Sequence, residues 1–347
     1  MRLRLLTGAV LAGVLLLATA CSRLPLARLL PEATAAGPAE HGVTLIPLAG
    51  ALAERDAEFS GLARWGDEYV LLPQYPARYG GNLFTLGETE IVAALAGLDG
   101  DGLAPVPLAF DDGGLSSAIR GFEGFEAIAI AGDRVYLTIE ADDGPTMTGY
   151  LVAGTIDAAS RRITLDPATL APMAEQAPID NMSYEALTVL ADGRVLALYE
   201  ANGANVNPQP VAHLFDAAGA PAGTLPSPTL EYRITDAMPA GEDGRFWAIN
   251  YYFPGDEAKL VPAADPLAER YGEGATHAAN RAVERLVELQ ATETGVMLVD
   301  QPPLQLSLLP GVARNWEGIA PLQTEYLDGF LLVSDTFPAT MLGFVEK

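Results

Sequence analysis

Four times along this 347-residue chain an aromatic or aliphatic stretch delivers an acidic side chain into the same short phrase: Phe125-Glu126-Ala127-Ile128, Tyr184-Glu185-Ala186-Leu187, Thr235-Asp236-Ala237-Met238 and Trp316-Glu317-Gly318-Ile319. A fifth copy, Phe59-Ser60-Gly61-Leu62, carries serine in that place. After each comes a hydrophilic turn and a second apolar strand that ends on a polar residue. Those residues are Gln74, Glu140, Glu200, Asn250 and Asp335, at offsets of 14, 14, 15, 14 and 18 from the first mark. A near-constant offset means one structural unit used five times, and equivalent carboxylates are then expected close together.

The grammar of each unit is strand, turn, strand, then two more strands. The first unit reads as strands over 62–65, 69–72, 82–86 and 90–95, the second over 127–131, 134–139, 150–156 and 162–165, and the third over 186–190, 195–199, 211–215 and 223–225. Asp133, Asp192-Gly193 and Asp243-Gly244 stand where hairpin turns need them. Four antiparallel strands at a period of about 50 to 80 residues mark propeller blades. The fourth unit has its second strand at 245–250. It is then interrupted over 251–282 by an insertion rich in Pro and Gly, with a short helix predicted near 275–280. The fifth unit keeps only three strands, ending at 341–345, and the apolar segment 43–48 is expected to supply the fourth. The fold expected is all-β, a single propeller of five four-stranded blades over 43–347, its ring closed by an N-terminal strand. A sixth blade stays open if 105–119 or the insertion hides a degenerate one.

Residues 1–20 read as a removable leader: Arg2 and Arg4 precede an apolar run too short to span a bilayer comfortably. The run ends Ala18-Thr19-Ala20-Cys21, which resembles a bacterial lipoprotein signal whose cleavage leaves an acylated Cys21. Residues 21–42 are then a tether to the membrane, and the expected location is the cell envelope, with Ser22 compatible with an outer membrane. Cys21 is the only cysteine, so no disulfide framework or thiolate metal site is available. With 45 acidic against 20 basic residues, nucleic acid is excluded as a partner, and a monomer is expected.

The first strand of each propeller blade lines the central channel, so Glu126, Glu185, Asp236 and Glu317 are expected to converge there. Two carboxylates at about 4 Å repel by roughly 4 kcal/mol at an effective dielectric of about 20. Four therefore need water, arginine or a metal. Oxygen ligands in this number suit calcium, or magnesium with retained waters, and not zinc or copper. The plainer reading is that the acids hydrogen-bond neighbouring blades across a wet channel. Glu140, Glu200, Asn250 and Asp335 are expected to orient the first four or to hold the blades together. Arg120, Arg233 and Arg314, each just before a channel phrase, are candidates to neutralise an anion or to pair with the acids. No Gly-x-Ser-x-Gly elbow occurs and Ser60 has no evident histidine base, which leaves a metal-activated water as the hydrolytic mechanism the acids favour. Aromatics at the insertion, Tyr251, Tyr252, Phe253 and Tyr271, are candidates to cap a ligand.

The phrases Phe122-Glu123-Gly124-Phe125-Glu126-Ala127-Ile128-Ala129, Glu284-Arg285-Leu286-Val287-Glu288-Leu289 and Arg314-Asn315-Trp316-Glu317-Gly318-Ile319-Ala320, the last followed by Gly329-Phe330-Leu331-Leu332-Val333-Ser334-Asp335, resemble the phytase-like propeller family described as having esterase-like activity of phytase. They also resemble the periplasmic propellers of the SdiA-regulated type. The resemblance implies calcium at the channel and hydrolysis of phosphate esters. The chain has few Lys and Arg for a polyphosphate, however. The expectation is thus a lipid-anchored propeller with a cation-binding acidic channel, a calcium-dependent phosphate or carboxylate ester hydrolase acting on a small anionic ester. The alternative is a non-catalytic envelope propeller that binds a ligand or protein partner.

Overall fold

The apolar runs that flank each acidic phrase pair into five antiparallel sets of strands. The computed structural model describes residues 37–53, 56–98, 102–142, 144 and 147–347. The leader, Cys21 and the first part of the tether lie outside them. No helix among the described residues is long and apolar enough to cross a membrane.

Blade 1 is built from Phe59–Trp65, Glu68–Pro73, Asn82–Gly87 and Val106–Asp111. Blade 2 follows with Phe122–Ala131, Arg134–Asp142, Met147–Asp157 and Arg162–Leu165, and blade 3 with Ala186–Val189, Val195–Leu198, Val211–Phe215 and Pro221–Pro226. Blade 4 takes Arg233–Ala237, Arg245–Tyr252 and Val283–Thr292, and two short strands, Gly295–Leu298 and Leu304–Leu306, share its outer edge. Blade 5 is Trp316–Gln323, Asp328–Ser334 and Met341–Glu346, and its fourth strand is Thr44–Ile46 from the N-terminal end, antiparallel to Met341–Glu346. The innermost strands contact one another in the order of blades 1, 2, 3, 4, 5 and back to 1. The outer strands of blades 1 and 2 also pair in parallel, joining those two blades into one sheet.

Strand alternation explains how one blade serves two interfaces. Successive side chains point to opposite faces, so in blade 1 Leu62, Tyr69 and Leu71 pack toward blade 5 while Ala63, Val70 and Leu72 pack toward blade 2. Each of the five apolar clusters lies between two adjacent blades, and no single core fills the middle. Blades buried on both faces read as nearly continuous apolar runs. The centre is left to polar residues.

Two sequence expectations change here. Residues 90–95 are not a strand: Glu88–Leu95 is a helix, with Glu88 and Glu90 in its first turn, where the helix dipole favours acids, and Ile91 buried against the cluster between blades 5 and 1. The fourth strand of blade 1 comes instead from Val106–Asp111, so the 105–119 segment completes an expected blade and adds no sixth. The insertion carries the helix expected near 275–280, as Ala275–Ala278, together with two more short helices, Glu257–Leu260 and Pro266–Tyr271.

Closure by Thr44–Ile46 makes the ring depend on a three-residue strand whose one buried side chain is Ile46. Ile46→Ala should lower unfolding free energy by about 2 kcal/mol or more, measured by chemical denaturation. A loss below about 0.5 kcal/mol would mean the strand contributes little to closing the ring.

Candidate functional site

Four inner strands carry a β-bulge near their start, and the bulges decide which side chains face the channel. The register slips at Ser60 in blade 1, Glu126 in blade 2, Thr235 in blade 4 and Glu317 in blade 5. Glu185 lies immediately before the inner strand of blade 3. A bulge leaves its extra residue out of the ladder and re-aims the side chain. The equivalent positions are therefore Ser60, Glu126, Glu185, Thr235 and Glu317, of which the three glutamates line the cavity at the channel.

Asp236 is not in that set. It occupies the position that is Gly61, Ala127, Ala186 and Gly318 in the other blades, where neighbouring inner strands touch. A Cβ added at Gly318 would lie 2.9 Å from the backbone nitrogen of Leu62, which shows how little room that position has. Asp236 is fully buried, and its Oδ2 accepts a hydrogen bond from Ile319 N of blade 5 at 2.8 Å. Burial pushes its carboxyl well above the usual range. The expected ring of four acids thus contains three of its members.

The two hydroxyl positions are structural. Ser60 Oγ donates to Phe125 O at 2.5 Å and Thr235 Oγ1 to Trp316 O at 2.5 Å, so each ties its bulge to the backbone just before the glutamate of the next blade.

At this end of the channel lies a cavity of about 610 Å³, lined by Glu126, Glu140, Glu185, Arg233, Glu317 and Asp335 among others. Its central feature is one guanidinium. Arg233 donates from Nη2 to Glu185 at 3.2 and 3.3 Å and to Glu317 Oε1 at 3.4 Å, from Nε to Glu200 Oε1, and from Nη1 to Asn315 Oδ1 at 3.2 Å. It also lies over the Tyr251 ring, 5.6 Å from the centroid. Asn315 Nδ2 donates to Glu317 Oε1 and, at 2.9 Å, to Asp335 Oδ2, whose partner oxygen accepts from Phe337 N at 2.7 Å. Gln74 Nε2 donates to Glu126 Oε1 at 3.0 Å. Gly124, at φ +146°, makes room for that contact, since a Cβ there would lie 2.4 Å from Gln74 Cγ.

The other two arginines lie elsewhere. Arg120 is exposed and does not line the cavity. Arg314 is buried between blades 4 and 5, where its backbone nitrogen and Nε donate to Glu284 at 2.9 and 2.8 Å, and Trp316 Nε1 donates to the same carboxyl at 2.9 Å. Asn250 is likewise structural: it donates to Glu231 O and Arg233 O and accepts from Arg285. Tyr251 and Phe253 line the cavity, whereas Tyr252 lines a separate one and Tyr271 bonds Asp300. Gln74, the polar mark that ends the second strand of the first unit, joins the site, as do Asn315, Tyr75 and Phe337, which the repeated marks did not select.

Five carboxyls around one guanidinium cannot all be charged. Burial first, and then the charge of Glu185, pushes Glu126 up to about 8, against the opposing hydrogen bond from Gln74. Burial followed by Glu126 and Glu185 raises Glu140 well above the carboxylate range. Burial also raises Glu200 well above that range, with Arg233 opposing, and it raises Glu317, where Asp335 adds to the effect. Glu185 is raised by burial against the pull of Arg233.

The site does not fit calcium. Arg233 stands among Glu185, Glu200 and Glu317, where a cation would have to sit, and Asp236 is sealed between blades. No group of three or more metal-ligating side chains suited to an ion occurs among the described residues.

No family model matches the chain, and no curated protein matches it. Among solved structures it is similar to an α-L-arabinanase from Cellvibrio cellulosa, at 13% identity over 84% of this chain and 92% of that one, with a TM-score of 0.48. It is also similar to an exo-1,5-α-L-arabinanase from a bovine ruminal metagenomic library (12% identity, 86% and 99% coverage, TM-score 0.46). An endo-arabinanase from Bacillus licheniformis is a third (11% identity, 83% and 93% coverage, TM-score 0.44). Likeness at this level assigns no activity. The phytase-like resemblance is not upheld, since no such family model matches the chain. The expected calcium-dependent phosphate or carboxylate esterase falls with it, because the one guanidinium at the centre of the acids is already engaged by them.

Two predictions follow from the charge arrangement. A carboxyl whose folded pKa lies above its unfolded value of 4.5 costs stability as pH rises through that interval. With Glu126 at about 8, the melting temperature should fall between pH 5 and pH 8. Glu126→Gln should flatten that slope and raise the melting temperature at pH 8, by about 2–4 °C for each kcal/mol recovered. Calorimetry across that range checks it, and an unchanged slope would contradict it. Second, Arg233→Gln leaves buried carboxyls uncompensated and should cost about 3–5 kcal/mol at pH 7.5. The cost should be smaller at pH 5, where those groups take up protons. Equal losses by urea unfolding at both pH values would refute the compensating role.

Proposed function

We propose that the channel-end cavity binds a glycoside and cleaves it with two of its own carboxyl groups. The observation that carries this is Glu126, a carboxyl lining a 610 Å³ cavity and pushed up to about 8, and so able to hold a proton for delivery near neutral pH. Glycoside hydrolysis commonly pairs such an acid with a second carboxylate. Asp335 is the partner assigned here, because it lines the same cavity and accepts hydrogen bonds on both oxygens, from Asn315 and Phe337. The glycosidic carbon–oxygen bond breaks as the Glu126 proton passes to the leaving oxygen, and the water that attacks the sugar gives its proton to Asp335. A neutral, hydroxyl-rich substrate adds no negative charge to a site that already has too much. Its hydroxyls suit a wall of acceptor oxygens, and its apolar faces suit Tyr75, Tyr251, Phe253 and Phe337. The non-catalytic alternative gains no better support from these features.

Nitrophenyl glycosides test the proposal, beginning with the α-L-arabinofuranoside because the similar solved structures include arabinanases. The expected result is release of nitrophenol that chelators do not affect, with kcat lowered about 10²–10⁴-fold by Glu126→Gln and reduced as well by Asp335→Asn. Absence of hydrolysis across furanosides and pyranosides of both anomers would overturn it.

A further inference from the structure

We propose that the sugar recognised by this cavity carries a protonated amine, held by Glu140 at the blade 2 side of the pocket. The inference rests on the glycoside reading and narrows its substrate class to amino sugars. Glu140 is 3% exposed and lines the cavity, and its Oε1 has no hydrogen-bond partner among the described residues. A buried acceptor without a donor is costly and calls for one.

The resident cations do not serve this corner. Arg233 is taken up by Glu185, Glu200 and Glu317, Arg78 pairs with Glu58, and Lys259 donates to Asp180 O at 3.1 Å. The acids beside Glu140, namely Glu126, Glu185 and Glu123, raise its proton affinity, and only Arg233 opposes them. A primary ammonium supplies both missing things, a positive charge and three N–H donors. A bare divalent ion is a poorer match, since one carboxyl falls short of the six to eight oxygens calcium takes.

Paired sugars test the inference: arabinose against its aminodeoxy analogue, glucose against glucosamine, and galactose against galactosamine, titrated into the wild-type protein at pH 7 by NMR. The amino member of at least one pair should bind tenfold or more tightly than its neutral partner. Glu140→Gln, which keeps shape and removes charge, should bring that ratio to within about twofold of unity, with a melting curve confirming that the variant is folded. If both members bind alike to the wild type, the amine assignment is wrong while the glycoside reading survives. If no member of any pair binds, both fall. A preference that persists undiminished in folded Glu140→Gln also overturns the assignment to Glu140.

Discussion

The polar end of this propeller is organised by a single guanidinium among glutamates. Arg233 comes from the inner strand of blade 4, and its partners come from blade 3, through Glu185 and Glu200, and blade 5, through Glu317 and Asn315. It therefore ties three consecutive blades where apolar packing cannot, since each apolar cluster lies between two blades and none occupies the axis. One positive charge against five nearby carboxyls leaves an excess of acid that only protons or a bound cation can balance. A metal ring and an arginine hub are alternative answers to the same repulsion. This chain has the arginine hub, and the carboxyls it leaves uncompensated are pushed above their ordinary range by burial and by one another.

The blade pattern was legible because blades are built by local hairpins of nearly fixed length, so the offset between marks survives in the sequence. The N-terminal closing strand was legible by subtraction: the fifth unit was one strand short, and 43–48 had no partner. The fourth strand of blade 1 was misplaced because Ile91, Val92 and Leu95 form an apolar run too short to separate a strand from a helix by periodicity alone. The acids at its start and the alanines within it decide for the helix.

The site was only partly legible because aligning by residue type put Asp236 beside the glutamates. The backbone aligns Thr235 there instead, and both residues are polar, so chemistry alone chose the wrong neighbour. The better signal was the small residue after the mark: Gly61, Ala127, Ala186 and Gly318 all allow close approach of inner strands, and Asp236 stands at that position. Parity separates the arginines in the same way. Arg233 stands two residues before Thr235, as Asn315 stands two before Glu317, and both reach the cavity. Arg314 is one residue out of step and turns into the interface between blades 4 and 5 to meet Glu284. A strand's two-residue period thus assigns an arginine to the channel or to the core, and nearness to an acidic phrase does not.

The two hydroxyls at the bulges explain how glutamates can be held at all in so crowded a ring. Ser60 in blade 1 and Thr235 in blade 4 bond the carbonyls of Phe125 and Trp316, the residues immediately before Glu126 and Glu317. Each hydroxyl therefore fixes the backbone from which the next blade's glutamate projects, and it adds no charge of its own. A carboxylate at either position would be an acceptor facing a carbonyl acceptor, beside an acid cluster that already exceeds its counter-charge. Blade 3 has no such clamp behind Glu185, whose predecessor in the ring is Glu126. Its carboxyl is instead held by two contacts from Arg233. Hydroxyl clamps on two blades and a guanidinium for the third are thus complementary means of aiming three glutamates into one cavity, and they place the least compensated charge at blade 2, where Glu126 and Glu140 stand without a cation.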